Sequence, residues 1–183
     1  METVKKVLTD AYILKPKVFQ DERGGFFESF NKGVFDSLTG TNISFVQDNQ
    51  SNSSKGTLRG LHFQCGKAAQ SKLVRVVKGS VYDVAVDLRP QSPTFKQWHA
   101  VELNEHNHLQ FFIPRGFANA FLALEDETIF QYKVDNFYSS KHDGGVFWND
   151  PELAADWPDT LIELSNKDKE LPQLSQLNPN KLW

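Results

Sequence analysis

A histidine stands inside the strand-like run LRGLHFQ, Leu58–Gln64, with Arg59 before it and Gln64 two places after it. In an extended chain residues i and i+2 share a face, so Gly60, His62 and Gln64 project one way and Arg59, Leu61 and Phe63 the other. A histidine in the place of Gln64 would complete a pair of metal ligands on one face, and a glutamine does not. His62 is therefore either a core residue with a satisfied ring or a group that does chemistry without a metal. Gly60 has no Cβ and can host a bulge that carries Arg59 round beside His62. Other polar residues interrupt apolar runs: Gln47 and Asn49 two apart, Lys72 heading KLVRVV, Asp83 within VYDVAV and Tyr132 in TIFQYKV. Taken singly, Tyr132 reads as packing, Lys72 and Arg59 as surface cations, and Arg23 as a turn residue before two glycines. Their joint occurrence points to a site.

Metal chemistry is weighed on the five histidines, at 62, 99, 106, 108 and 142. Only His106 and His108 form an HxH pair, and NEHNHL reads as a solvated turn. No second His, Cys or acid stands near His62 at ligand spacing, so no metal is expected.

The elements that must position these residues are short β-type runs separated by turn residues. KLVRVVKGSVYDVAVDLR, Lys72–Arg89, reads as strand, Lys-Gly-Ser turn and strand, a hairpin. Further runs are Asn42–Asn49, Thr57–Gln64, Phe95–Leu103, His108–Pro114, Phe117–Leu124 and Thr128–Val134. Strands spaced by about ten residues indicate an all-β sandwich or barrel. Gly33–Gly40 is expected to hold one short helix, and Pro151–Trp157 and the tail beyond Asp159 irregular wrapping with another helical turn. A length of 183 residues fits one domain, 1–183, burying roughly 70% of its unfolded surface. The chain is 39% hydrophobic with 15 Phe, which excludes disorder. Net charge is −3 and no Lys/Arg run exceeds two residues, which argues against nucleic acid or an anionic membrane as partner. The lone Cys65 cannot form an intrachain disulfide, no run of ~20 apolar residues occurs, and no signal peptide is expected. A cytoplasmic protein is expected.

DERGGFFESFN, FVQDNQSNSSKGTLRGLHFQ, AQSKLVRVVKGSVYDVAVDLRPQSPTF, IPRGFANAFLAL, YKVDNFYS, WNDP and LSNKDKELP occur in that order. Together, from about Pro16 to Pro172, they resemble the dTDP-4-dehydrorhamnose 3,5-epimerase family. The resemblance implies a cupin-type jelly roll (double-stranded β-helix) with short flanking helices, no cofactor, and a homodimer that exchanges N-terminal strands. It implies a dTDP-4-dehydro-6-deoxy-D-glucose substrate inverted at C3 and C5, a step of dTDP-L-rhamnose synthesis. Carried over by residue, His62 matches the catalytic base, Asp168 its paired acid and Tyr132 the proton donor. Lys72, Arg59, Gln47, Asn49, Arg23, Glu28 and Lys167 match substrate-binding positions. Phe26 and Tyr138 match aromatic positions near the nucleotide, Tyr138 stacking on thymine.

That set suits the reaction. A C4 ketone acidifies the hydrogens on C3 and C5, because the resulting carbanion is delocalised as an enolate. Inversion then needs a base on one sugar face and an acid on the other. Imidazole ordinarily titrates at about pH 6.5, which suits a base that must reload, and a phenol at about pH 10 stays protonated. Asp168 would orient the imidazole, Lys72 would stabilise charge developing on O4, and Arg59 and Arg23 suit a diphosphate.

Three departures stand out. Asn119 and Ala120 occupy Gly116-Phe-Ala-Asn-Ala-Phe121, where the family usually has His and Gly. Cys65-Gly66-Lys67 replaces a proline-containing stretch, and Asp143, counted here among the substrate-binding positions with Asn119, stands where the family often has Glu. Asn can hydrogen-bond but carries no proton to transfer. These departures make a 3-only or 5-only epimerase of a related sugar the rival reading within the class; rivals from other classes are a non-catalytic nucleotide-sugar-binding cupin and a metal-dependent cupin oxygenase.

Overall fold

The structure is a computed structural model and describes residues 1–177; the last six positions of the expected 1–183 domain lie outside the described residues. Thirteen strands follow one another: β1 (Glu2–Val7), β2 (Ala11–Lys15), β3 (Val18–Asp21), β4 (Gly24–Phe27), β5 (Gln47–Ser53), β6 (Leu58–Gln64) and β7 (Lys72–Lys78), then β8 (Ser80–Asp87), β9 (Trp98–Asn104), β10 (Gln110–Ile113), β11 (Phe117–Ala123), β12 (Thr128–Val134) and β13 (Asp143–Gly145). Helix α1 (Lys32–Thr39) precedes β5 and the one-turn α2 (Asn166–Lys169) follows β13.

Two antiparallel sheets face each other, with strand orders β1-β2-β10-β7-β12-β5 and β13-β6-β11-β8-β9. This is the expected all-β jelly roll. The interior between the sheets is made by Val74, Val76, Phe111, Ile113, Phe121 and Phe130 among others. Each fully buried large apolar side chain contributes roughly 1.5–3 kcal/mol. The outer face of the first sheet is covered by α1, whose Phe35 packs on Leu14, Leu73 and Phe112. The outer face of the second is covered by Val146, Leu153 and Leu174 of the C-terminal wrapping. Helix α1 falls where the sequence places a helix: the Asn31 side chain accepts from the Val34 amide, and Gly40 closes the helix at φ 68°.

The expected hairpin at Lys-Gly-Ser is corrected. Strand β7 pairs with β10 and β12, whereas β8 pairs with β9 and β11 in the other sheet. Gly79, at φ 78°, carries the chain from one sheet to the other. Its amide donates to Glu105 Oε1 at 2.9 Å, and a Cβ there would lie 2.5 Å from Thr128 Oγ1. A single residue is too short a loop for a regular two-residue hairpin turn, so the two strands turn their apolar residues to one shared interior. Among the described residues no helix is long and apolar enough to cross a membrane.

Candidate active site

One cavity of about 430 Å³ opens between the sheets, and both supply its walls. The second sheet supplies Arg59 and His62 from β6 and Asn119 from β11, with His62 directly opposite Asn119. The first supplies Asn49 from β5, Lys72 from β7 and Tyr132 from β12, with Tyr132 directly opposite Asn49. Lys167 and Asp168 close one side from α2.

The bulge at Gly60 is present. Between Asn119↔His62 and Phe121↔Arg59 strand β6 advances three residues while β11 advances two. The extra residue turns Arg59 onto the His62 face, against simple alternation. Gly60 sits at φ 128°, where a Cβ would come 2.5 Å from that of Ala120. Leu61 and Phe63 point to the opposite face and join its core.

His62 Nε2 lies 2.5 Å from Asp168 Oδ1. Asp168 is 3% exposed, and Ser165 Oγ donates to its Oδ2 at 2.9 Å while accepting the Asp168 amide at 3.1 Å. Burial alone would raise this carboxyl, but the hydrogen bond and charge of His62, then Ser165 and Lys167, hold it below the usual carboxylate range. With Nε2 on Asp168, Nδ1 is the ring nitrogen left to accept a proton. Burial raises the Tyr132 phenol, Asp143 adding to the effect and Arg59 opposing it. Burial also lowers the Lys72 ammonium to about 8, against the opposing pull of Asp83 and Asp143. Lys72 Nζ lies 5.8 Å from the Tyr132 ring centroid, over its face. Imidazole, phenol and ammonium thus reach one space from facing walls.

Asn119 does not offer its amide nitrogen to the cavity. Nδ2 donates to Asp83 Oδ1 at 2.9 Å and to the Val84 carbonyl at 3.2 Å. Burial pushes the Asp83 carboxyl well above its usual range, Lys72 and Asn119 opposing.

Gln47, Tyr138 and Asp143 form a rim beside the cavity. The Tyr138 amide donates to Gln47 Oε1 at 3.4 Å, and Gln47 Nε2 donates to Asn49 Oδ1 at 2.8 Å. Lys167 Nζ donates to Asp143 Oδ2 at 2.5 Å. Tyr138 is 57% exposed. Arg23, Phe26 and Glu28 are not brought to this cavity by their own chain. They sit on or just after the separate β3–β4 hairpin, where Arg23 pairs with Asp21 and Phe26 is 70% exposed.

Sequence reasoning missed Ser165 and Ser51. Ser165 carries a readable signal, the pattern Ser-Asn-Lys-Asp that places a hydroxyl cap three residues before an acid. Ser51 lines the cavity with a buried Oγ that has no protein partner, in a strand whose polar run QDNQSNS hides its period. Among the described residues no group of three His, Cys, Asp or Glu side chains is placed to hold a metal ion.

The model of the family described as dTDP-4-dehydrorhamnose 3,5-epimerase matches residues 5–176. A relative of that name from Salmonella typhimurium is 50% identical over 177 residues, 96% of this chain and 97% of its own. The crystal structure of the Elizabethkingia anophelis enzyme superposes with a TM-score of 0.92 at 50% identity, covering 97% of this chain and 98% of that one. The Legionella pneumophila dTDP-6-deoxy-D-glucose-3,5-epimerase, solved with dTDP-4-keto-L-rhamnose, superposes at 0.94 with 42% identity, covering 98% and 95%. With likeness of this extent in sequence and fold, the chain belongs to the dTDP-4-dehydrorhamnose 3,5-epimerase family.

Proposed function

We propose that this chain inverts C3 and C5 of dTDP-4-dehydro-6-deoxy-D-glucose, giving dTDP-4-dehydro-L-rhamnose. The observation that carries the reading is the opposition of His62–Asp168 on one wall to Tyr132 and Lys72 on the other. His62 Nδ1 removes the proton from the carbon beside the ketone, and the C–H electron pair moves into the C–C bond as O4 takes up charge. Lys72 donates to O4, an electrostatic contribution of the oxyanion kind. Tyr132 returns a proton to the opposite face of the same carbon, and solvent reloads both groups before the second centre reacts. Acid and base each supply roughly 10²–10⁴-fold. The ketone is itself the electron sink, so the chemistry requires no cofactor.

Arg59 and Lys167 bind the diphosphate, Gln47 and Asn49 the sugar–nucleotide, and Tyr138 and Asp143 the nucleotide end. Arg23, Phe26 and Glu28 serve the site of a second copy in a homodimer that exchanges this N-terminal region. The support is that none of the three lines their own cavity, together with the exposed Phe19–Phe26 cross-strand pair on a hairpin that joins neither large sheet. Light scattering tests this, and a fully active monomer refutes it. We place the protein in the cytoplasm as a single domain, and its net charge of −3 is in keeping with no nucleic-acid partner.

A second reading, inversion at one carbon only, draws support from Asn119, which stands opposite His62 with its amide nitrogen on Asp83 and Val84. NMR of the substrate with enzyme in D₂O decides between them. Exchange and inversion at both C3 and C5 are expected. Exchange confined to one carbon establishes the second reading, and exchange at neither refutes both.

A further inference from the structure

Gln64 does not line the cavity, yet it is 5% exposed with both ends of its amide engaged. It lies directly opposite Asp143 in the β6–β13 pair. Its Nε2 donates to Asp143 Oδ1 at 2.9 Å, and its Oε1 accepts the Ser139 amide at 2.9 Å. The other oxygen of Asp143 accepts Lys167 Nζ at 2.5 Å and the Tyr138 hydroxyl at 3.4 Å. One buried side chain therefore joins strand β13, the segment bearing Tyr138, and through Asp143 the helix α2. The next residue of that helix, Asp168, is held by His62, two places before Gln64 on β6. Two same-face residues of one strand thus fix two consecutive residues of α2, one directly and one through Asp143.

We propose that Gln64 is a positioning residue for nucleotide recognition, holding Asp143, Tyr138 and Lys167 in place without touching the substrate. This rests on the epimerase reading above. The residue type is specific, because the position needs one donor and one acceptor on one planar group. Glutamate has no donor for Asp143 and sets a second carboxylate against it. An apolar side chain of the same length leaves a buried carboxylate oxygen and an amide N–H unpaired. His62 and Asp168 have their own bond and do not depend on the Gln64 amide, so the chemical step should be spared.

The test is Gln64→Glu, measured by dTDP binding in calorimetry and by steady-state epimerisation. The dTDP Kd and the KM should rise roughly 10- to 100-fold, as expected for a lost hydrogen bond to a charged group, with kcat at saturation changed by less than about threefold. A fall in kcat at unchanged Kd, or no change in either, overturns the proposal. Should Gln64→Glu fail to fold, Gln64→Asn keeps both bonding groups at shorter reach; a raised KM supports the proposal and an unchanged one overturns it. Wild-type protein that neither binds dTDP nor epimerises removes the epimerase reading itself. Wild-type binding that is matched by Gln64→Glu removes only the inference about Gln64.

Discussion

Replacing Lys72 by methionine should separate stability from activity. The ammonium is buried in the cavity wall with its pKa lowered from 10.5 to about 8. At about 1.36 kcal/mol per pH unit this difference corresponds to a cost of about 3 kcal/mol, carried by the folded protein for keeping the charge. Lys72 retains partial exposure, and screening trims the figure to about 1–3 kcal/mol. The sign follows from proton counting. Between pH 8 and 10.5 the unfolded chain holds a proton that the folded one has lost, so wild-type stability gains from this group as pH rises through the window. Below pH 8 the cost is present in full. Lys72→Met should therefore be more stable than wild type at pH 7 by about 1–3 kcal/mol, and the advantage should shrink towards pH 10. Urea unfolding at pH 7, 8, 9 and 10 measures it. The same variant should lose about 10²–10³-fold in kcat, the size typical of an oxyanion donor, while still binding dTDP. In wild type, kcat/KM should fall as pH rises through about 8, where the ammonium loses its proton. A methionine variant no more stable than wild type at pH 7, with the same pH slope, refutes the reasoning about burial. One that epimerises at the wild-type rate refutes the role at O4.

Three further substitutions test the site. His62→Ala should abolish solvent exchange at C3 and C5 in D₂O with dTDP affinity within about threefold of wild type; near-normal exchange removes His62 from the base role. Tyr132→Phe should reduce net inversion by about 10²-fold or more and exchange much less, because His62 can return a proton to the face it came from; equal losses exclude Tyr132 as the opposite-face donor. Asn119→His should raise kcat/KM about 5- to 30-fold with unchanged product if Asn119 only weakens a common enzyme, a charge-assisted bond being stronger than a neutral one. A drop, or a product newly inverted at a second carbon, means that residue 119 selects the reaction.

The elements legible in the sequence are those whose own residues carry the pattern. Strand β12 runs from Thr128 to Val134 as the sequence places it, and α1 announces itself by Asn31 and Gly40. The N-terminal strands were not legible. ETVKKV is exposed at five of its six positions, so β1 has no buried face to show in its composition, and its pairing to β2 is what makes it a strand. The three residues of β13, Asp-Gly-Gly, carry no β signal and exist as a strand only against β6. The misread hairpin has the same origin, since two apolar runs around a glycine look alike whether they pair with each other or with opposite sheets.

Strand β5 shows why the site itself was only half visible. The apolar run places a strand at Asn42–Asn49, but the strand is Gln47–Ser53, while Ile43 and Phe45 pack on the α1 core outside it. A strand that lines a polar cavity cannot advertise itself by hydrophobic alternation, because one of its faces carries the polar Asn49 and Ser51 into that cavity. The same holds for Arg59, which alternation assigns to the wrong face and the bulge at Gly60 returns to the right one. Hydrophobic period therefore locates the walls of such a fold and fails along the stretch that lines the cavity. Residues that break the period there are the ones to test first, and the pair least explained by strand formation alone is His62 with Gln64: one reaches the cavity, the other the rim beside it.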